Sequence, residues 1–162
     1  MARVVLITGG NVGDAERTLG EAARLIEAEV GRVVRHSKIY ITKAWGFEAD
    51  DFRNQVLVVE SDLEPIEVLD AVNAIEQRLG RDRAEEQKIK SATGARYASR
   101  SIDIDILFYD DLVVESERLT LPHPRIAERG FVLEPLVEVA AEWQHPLRGE
   151  SVKQMYEKLN QR

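Results

Sequence analysis

The chain has 162 residues, a length that predicts one domain spanning residues 1–162 and large enough to bury its own core. Its composition is that of a globular protein, without cysteine for disulfides or thiolate metal sites and without an apolar run long enough for a membrane span. The net charge of −7 argues against a protein that binds long nucleic acids. We therefore expect a cytoplasmic protein that binds neither nucleic acid nor membrane.

The first part of the chain alternates short β-rich runs with helical periodicity. Apolar residues at helical spacing, Pro65 as a helix start, and Gly31 and Gly80 as stops mark the two helices. The predicted elements, in chain order, are a strand over 3–8, a helix over 14–30, strands over 32–42 and 54–60, a helix over 65–79 and a strand over 101–108.

This β-α-β-β-α-β order predicts an α+β fold with a ferredoxin-like core, an antiparallel sheet with both helices on one face. Downstream we expect two short strands within 112–121, then turns and short helical pieces over 126–140. Ser151 is expected to cap a last helix.

Two aspartates stand out in the strand that reads Ile102-Asp103-Ile104-Asp105-Ile106. Residues two apart on a strand share a face, so we expect the isoleucines in the core and both carboxylates on the other face. Neighbouring carboxylates raise one another's pKa unless a cation lies between them, and hard oxygen ligands at this spacing suit Mg²⁺. The plain alternative is the solvent face of an amphipathic strand.

The polar stretch before this strand is basic. Residues 81–100 hold six Lys and Arg against three Asp and Glu, a local charge of +3, so the rest of the chain sums to −10. A compact positive segment on an acidic protein suits a small polyanion, although a solvated basic loop has the same composition. Arg81, Arg83 and Arg100, together with the carboxylate pair, are the groups that phosphoryl transfer requires.

Two other features bear on phosphate binding. The glycine-rich turn at residues 9–13 matches neither G-x-x-x-x-G-K-[ST] nor G-x-G-x-x-G, so the chain is not a P-loop enzyme. His123 stands between Pro122 and Pro124, and the restricted backbone would help to hold its ring toward a phosphate.

Together these residues resemble the 6-hydroxymethyl-7,8-dihydropterin pyrophosphokinase family along essentially the whole chain. The motifs that carry the resemblance are RSIDIDIL at 100–107, RLTLPHP at 118–124, RGFVLEPL at 129–136, GGN at 9–11, FRN at 52–54, IE at 75–76 and GRDR at 80–83.

The resemblance implies transfer of the β,γ-pyrophosphate of ATP, the co-substrate, to the pterin hydroxymethyl group, with release of AMP. It implies two Mg²⁺ ions held by Asp103 and Asp105, and catalytic roles for these two residues, Arg81 and Arg100. The implied ATP-binding residues are Asn73, Arg83, Arg96, Tyr97, Ile106, Arg118, Thr120 and His123. The implied pterin-binding residues are Thr42, Trp45, Phe52, Asn54 and Phe131, with the ring stacked between the two phenylalanines. Core packing is the alternative role of those phenylalanines.

The chain departs from the family pattern at several places. The connection from Arg83 to Tyr97 is longer than in the shorter members, Tyr97 stands where a tryptophan can occur, and Ser99 stands where proline often precedes the arginine. Residues 43–45, Lys-Ala-Trp, replace a proline-containing version of the pterin loop. The likeness also implies a monomer or weak dimer.

Two other classes of function compete with this interpretation. One is a metal-dependent nucleotidyl or polynucleotide enzyme with an Asp-x-Asp pair, against which the net charge argues. The other is a non-catalytic module that senses a small molecule, which would have no reason to bring Arg81, Arg100 and both aspartates to one site.

Overall fold

The structure is a computed structural model that describes residues 1–11, 14–42, 51–80 and 102–161. Its strands are β1 (Ala2–Gly10), β2 (Arg32–His36), β3 (Tyr40–Thr42), β4 (Phe52–Ser61), β5 (Asp103–Tyr109), β6 (Val114–Glu115) and β7 (Thr120–Leu121). Its α-helices are α1 (Ala15–Glu29), α2 (Pro65–Arg78), α3 (Gly130–Ala140) and α4 (Val152–Asn160), and a 3₁₀ turn spans Ile126–Glu128.

The main sheet is antiparallel, with the strand order β2-β4-β1-β5 and with β3 also paired to β4. When β2 and β3 are taken as one interrupted strand, this order is that of the predicted ferredoxin-like core, which is confirmed. Strands β6 and β7 form a separate hairpin. Among the described residues, β5 pairs only with β1 and so lies at an edge of the sheet.

Two apolar clusters lie on the two faces of the sheet. On one face α1 and α2 cover side chains such as Leu6, Leu57 and Ile106, as predicted from the β-α-β-β-α-β order. On the other face α3 and α4 cover alternate residues of the same strands, among them Ile7 and Val56. Helices therefore cover both faces of the sheet.

The helix boundaries follow local capping. Asp14 caps α1 by accepting a hydrogen bond from the backbone N–H of Arg17 at 3.1 Å. Pro65 begins α2, where Glu64 and Glu67 form a capping box. Ser151 caps α4, as predicted, because its hydroxyl accepts from the backbone N–H of Gln154.

The predicted turns and short helical pieces are found over 126–128 and are wrong over 130–140. After a single 3₁₀ turn, α3 runs unbroken for 11 residues with Pro135 inside it. Burial of Val132, Leu133 and Leu136 against the sheet outweighs the hydrogen bond that the proline cannot make.

The predicted strand over 32–42 is two strands. The interruption is at Ser37. Its side-chain hydroxyl accepts a hydrogen bond from the backbone N–H of Val56 at 3.0 Å, in place of a backbone carbonyl of the strand. None of the helices in the described segments is both long and apolar enough to cross a membrane.

Candidate functional site

The two aspartates of β5 share one face of the sheet, as the alternation predicted. Ile104 and Ile106 are 4% and 5% exposed beneath α1 and α2, whereas Asp103 and Asp105 are half-buried on the opposite face. Asp105 pairs with Ile7 of β1, whose side chain packs under α3 and α4. Both carboxylates therefore lie on the α3 side of the sheet, toward the end where β5 begins.

A row of three residues crosses the sheet beside Asp103. Gly9 pairs with Asp103 on one side and with Asn54 on the other, so Asn54 and Asp103 are two strand spacings apart, about 10 Å. A β-carbon on Gly9 would lie 2.5 Å from Oδ1 of Asn54. The glycine thus leaves space for the Asn54 side chain, which is 7% exposed.

A cavity of about 480 Å³ opens beside β5. It is bounded by α2, by the first residues of β5 and by the segment that contains β7. All the described residues assigned to ATP or metal contact it: Asn73, Asp103, Asp105, Ile106, Arg118, Thr120 and His123. The structure therefore brings together residues that are 50 positions apart in the sequence.

Arg118 and His123 have different partners at this cavity. The Arg118 guanidinium donates to Oδ1 of Asp70 at 2.5 Å, and both side chains are more than half exposed. The backbone N–H of His123 donates to the carbonyl of Leu107 at 3.0 Å, which ties the residue to β5.

The imidazole of His123 is biased toward its neutral form. Burial lowers its pKa below the usual value, and the guanidinium groups of Arg129 and Arg125 act in the same direction. The Asp103 carboxylate opposes them. Nδ1 of His123 accepts the backbone N–H of Arg125 at 3.3 Å, so Nε2 is the nitrogen that remains to meet a ligand.

Glu76 is a site residue that the sequence reasoning missed. It is 4% exposed, lines the cavity, and its Oε2 accepts the backbone N–H of Ile104, between the two aspartates, at 2.9 Å. The signal was present in the sequence. Glu76 lies four residues after Val72, on the apolar face of α2, where a carboxylate needs a specific partner.

The described residues assigned to the pterin lie across the sheet from the cavity. Thr42 pairs with Phe52, and Phe52 and Asn54 share the face that carries the aspartates. Phe131 lies in the first turn of α3, which packs on that face. Phe52 and Phe131 are 36% and 41% exposed, so neither is buried in the core.

Arg129 is a second residue that the sequence reasoning did not assign. Its guanidinium carbon lies 5.6 Å from the ring centroid of Phe131, and its charge acts on His123. The half-buried Arg129 side chain therefore lies between Phe131, which is assigned to the pterin, and His123, which lines the cavity.

The remaining predicted site residues lie outside the described residues: Trp45, Arg81, Arg83, Arg96, Tyr97 and Arg100. Their assignments stay predictions.

The candidate metal ligands are the carboxylates of Asp103 and Asp105. Within the described segments no group of three or more His, Asp or Glu side chains is arranged to hold a metal ion. Mg²⁺ commonly takes only one or two carboxylates and completes its shell with water and substrate phosphates. Asp103 and Asp105, on one face at the edge of a cavity, therefore fit Mg²⁺ bound together with a phosphate ligand.

Comparisons with known proteins give matches to one family over most of the chain. A family model described as 7,8-dihydro-6-hydroxymethylpterin-pyrophosphokinase (HPPK) matches residues 5–141. A 2-amino-4-hydroxy-6-hydroxymethyldihydropteridine pyrophosphokinase from Porphyromonas gingivalis is 40% identical over 148 residues, which cover 90% of this chain and 95% of the relative. A protein of the same name from Methylorubrum extorquens is 37% identical over 162 residues, 99% of this chain and 95% of the relative.

A solved structure shares the fold. The crystal structure of wild-type Plasmodium falciparum HPPK-DHPS superposes with a TM-score of 0.75 at 16% identity. The match covers 97% of this chain, which spans 44% of the length of that crystal chain. At this identity the likeness bears on the fold alone.

Proposed function

Because the chain belongs to the 7,8-dihydro-6-hydroxymethylpterin-pyrophosphokinase family, we propose that it transfers the β,γ-pyrophosphate of ATP to the hydroxymethyl oxygen of 6-hydroxymethyl-7,8-dihydropterin. The hydroxyl oxygen forms a bond to the β-phosphorus, the bond from that phosphorus to the α,β-bridging oxygen breaks, and AMP leaves. The hydroxyl proton is released, and the product is the pterin diphosphate used in folate biosynthesis.

One observation carries the proposal: the aspartates stand between the cavity and the residues assigned to the pterin. Asp103 lines the cavity and is also joined through Gly9 to Asn54. A pyrophosphate transferred between two bound substrates must pass through such a position, because in-line displacement aligns nucleophile, phosphorus and leaving group.

ATP would occupy the cavity on the β5 side. A volume of about 480 Å³ is within the range of small-molecule sites, and Arg118 and His123 supply donors at its rim. The neutral imidazole that burial favours in His123 donates one hydrogen bond to a phosphate oxygen, and an approaching phosphate raises the pKa of the ring. Arg129 acts electrostatically on His123, so its guanidinium would add a second positive charge, after that of Arg118, near the bound phosphates.

Asp103 and Asp105 would hold Mg²⁺, in the two-ion arrangement that the family resemblance implies. When bound, the cation supplies charge neutralisation at the phosphates and activation of the hydroxyl nucleophile. The two carboxylates would hold the cation at the edge of β5, since β5 places them two residues apart on one face.

The pterin ring would lie against Phe52 and Phe131, with Thr42, Trp45 and Asn54 at its edge. Exposed aromatic faces next to a nearly buried amide suit a flat heterocycle with polar edges. Proximity would supply much of the rate, because Asp103 both lines the cavity and lies in one row of the sheet with Asn54, so the two substrates would meet at the aspartates.

We propose that Arg81 and Arg100 stabilise the charge that develops on the transferred group, and that Arg83, Arg96 and Tyr97 contact the nucleotide. We further propose that residues 1–162 act as a single cytoplasmic domain, as a monomer or weak dimer, without nucleic acid.

The test is product analysis after incubation with MgATP, with and without the hydroxymethyl-dihydropterin. We expect AMP and the pterin diphosphate in equal amounts, only when pterin and Mg²⁺ are both present. Formation of ADP would contradict pyrophosphate transfer, and AMP without pterin would contradict the acceptor.

Variants of the aspartates test the proposed centre. Asp103→Asn and Asp105→Asn should each lower turnover by at least about a hundredfold with the melting temperature nearly unchanged. Asp111→Asn, at an exposed position just beyond β5, is the matched control and should behave as the parent chain. Turnover by either Asn variant within about threefold of the parent rate would remove these carboxylates from the mechanism.

A further inference from the structure

Glu138 joins α3 to the strand beside the proposed pterin site. Its Oε1 accepts the phenol O–H of Tyr40 at 2.6 Å, and both carboxylate oxygens lie 3.2 Å from the backbone nitrogen of Lys38, which donates to them. The mechanism above does not use Glu138 or Tyr40. The hydrogen bond to Glu138, followed by burial, raises the pKa of Tyr40 to about 12, so its O–H donates throughout the neutral range.

The two aromatic walls of the proposed pterin site are Phe52 and Phe131. Tyr40 and Glu138 lie on the elements that position these two side chains. Tyr40 pairs with Asn54, and Thr42, two residues further along β3, pairs with Phe52. Glu138 lies seven residues after Phe131, which is two turns along the same side of α3 and about 10 Å. The hydrogen bond therefore links the strand pair that carries one wall to the helix that carries the other.

Besides the Glu138 contact, the Arg35 guanidinium of β2 donates to the carbonyl of Val139 at 3.3 Å and ties α3 to that strand. This second hydrogen bond does not involve β3, which carries Thr42 opposite Phe52. Helix α3 packs on the sheet through apolar side chains such as Leu133 and Leu136, and apolar contact is non-directional. Its N-cap residue, Arg129, makes no side-chain capping hydrogen bond. Strand β3 has only three residues and is paired only to β4 in the described sheet. The hydrogen bond from Tyr40 to Glu138 supplies the directional restraint between β3 and the helix.

We propose that the Tyr40–Glu138 hydrogen bond is a positioning contact for the pterin site, which holds its two aromatic walls at the separation that binds the ring. The inference rests on the proposed assignment of Phe52 and Phe131 to the pterin. Tyr40 and Glu138 act through those walls and need not touch the substrate. Loss of the contact should therefore weaken pterin binding and leave nucleotide binding unchanged.

The test measures two dissociation constants for each variant by calorimetry. One is for α,β-methylene-ATP with Mg²⁺, and the other is for 6-hydroxymethyl-7,8-dihydropterin added to that complex. Tyr40→Phe should raise the pterin constant about fivefold and leave the nucleotide constant within about twofold. Glu138→Gln keeps an acceptor oxygen for both donors and should stay within about twofold of the parent, whereas Glu138→Ala should match Tyr40→Phe.

Tyr109→Phe is the matched control. The Tyr109 phenol also donates a 2.6 Å hydrogen bond, to the carbonyl of Leu63, but Tyr109 packs in the cluster beneath α1 and α2. Its loss should lower the melting temperature to a similar extent and leave pterin binding unchanged. If Tyr40→Phe binds pterin as the parent does, or weakens both ligands equally, the positioning role is refuted.

Two further variants separate this inference from the proposal beneath it. Phe52→Ala and Phe131→Ala should each weaken pterin binding at least as much as Tyr40→Phe. If neither does, the assignment of the walls is wrong and the positioning role fails with it. If both do while Tyr40→Phe has no effect, only the positioning role fails.

Discussion

Replacement of Glu76 tests how the strand that carries the aspartates is held. Glu76 is 4% exposed, and its carboxylate accepts the backbone N–H of Ile104. In the described sheet β5 pairs only with β1, so no further strand takes that N–H on its outer side. Glu76→Ala removes the acceptor, and Glu76→Gln keeps an oxygen but removes the charge.

The expected cost follows from the kind of hydrogen bond that is lost. A hydrogen bond to a charged acceptor contributes about 1.5–3 kcal/mol, and an orphaned buried N–H carries a desolvation penalty of similar size. Glu76 lines an open cavity, so water can reach the orphaned group and the loss belongs near the middle of that range. We expect Glu76→Ala to lower the free energy of unfolding by about 2 kcal/mol, or the melting temperature by about 4–8 °C. Glu76→Gln should lose less than about 1 kcal/mol.

The assay is urea unfolding followed by tryptophan fluorescence, together with turnover at saturating substrates. Because Ile104 stands between the two proposed metal ligands, Glu76→Ala should also reduce turnover, and Glu76→Gln should retain most of it. If Glu76→Ala unfolds within about 0.5 kcal/mol of the parent and turns over normally, then Glu76 neither stabilises β5 nor orients the aspartates.

Three further predictions concern the pterin side, the pH dependence of stability and the basic segment. Gly9→Ala puts a methyl group 2.5 Å from Oδ1 of Asn54, so we expect the KM for pterin to rise about tenfold with the KM for ATP unchanged; equal changes in both would contradict it. Burial lowers the pKa of His145, whose Nδ1 accepts the backbone N–H of Leu147, so the unfolded chain binds the proton more readily than the folded chain. The melting temperature should therefore fall as the pH drops below about 6.5, and less steeply in His145→Gln; equal slopes would refute this cause. Arg100→Ala should slow the chemical step about a hundredfold in single-turnover experiments, and an unchanged rate would remove Arg100 from catalysis.

Much of the fold was predictable because local signals agreed with tertiary packing. The isoleucines around Asp103 and Asp105 alternate with polar residues, and this period alone placed both carboxylates on one face. Ser151 likewise marked the start of α4 through its capping chemistry.

The sequence-based prediction of secondary structure was wrong where local signals and tertiary packing disagree. Gly130 and Pro135 are weak helix formers, but α3 is held by burial against a sheet formed by residues far away in the chain. Ser37 looked like one more strand residue, because only the structure shows its hydroxyl taking the N–H of Val56.

The site was predictable in its parts but not in its arrangement. The family resemblance implied that His123 and Asn73 share one site, and the cavity that joins them exists only after α2 and the β7 segment meet at the edge of β5. The role of Glu76 depends on a backbone N–H 28 residues away, which no local pattern reports.

The two-faced sheet has a consequence for the order in which the protein is made. The strands β1, β4 and β5 are complete once residue 109 has left the ribosome, and α1 and α2 can then cover one face. The other face exposes apolar residues such as Val5, Ile7, Val56 and Val58 until α3 and α4 emerge. A nascent chain at that stage presents the kind of surface that chaperones bind, and it holds the aspartates without the aromatic wall at Phe131. Under the proposed mechanism, catalytic competence therefore requires the synthesis of α3.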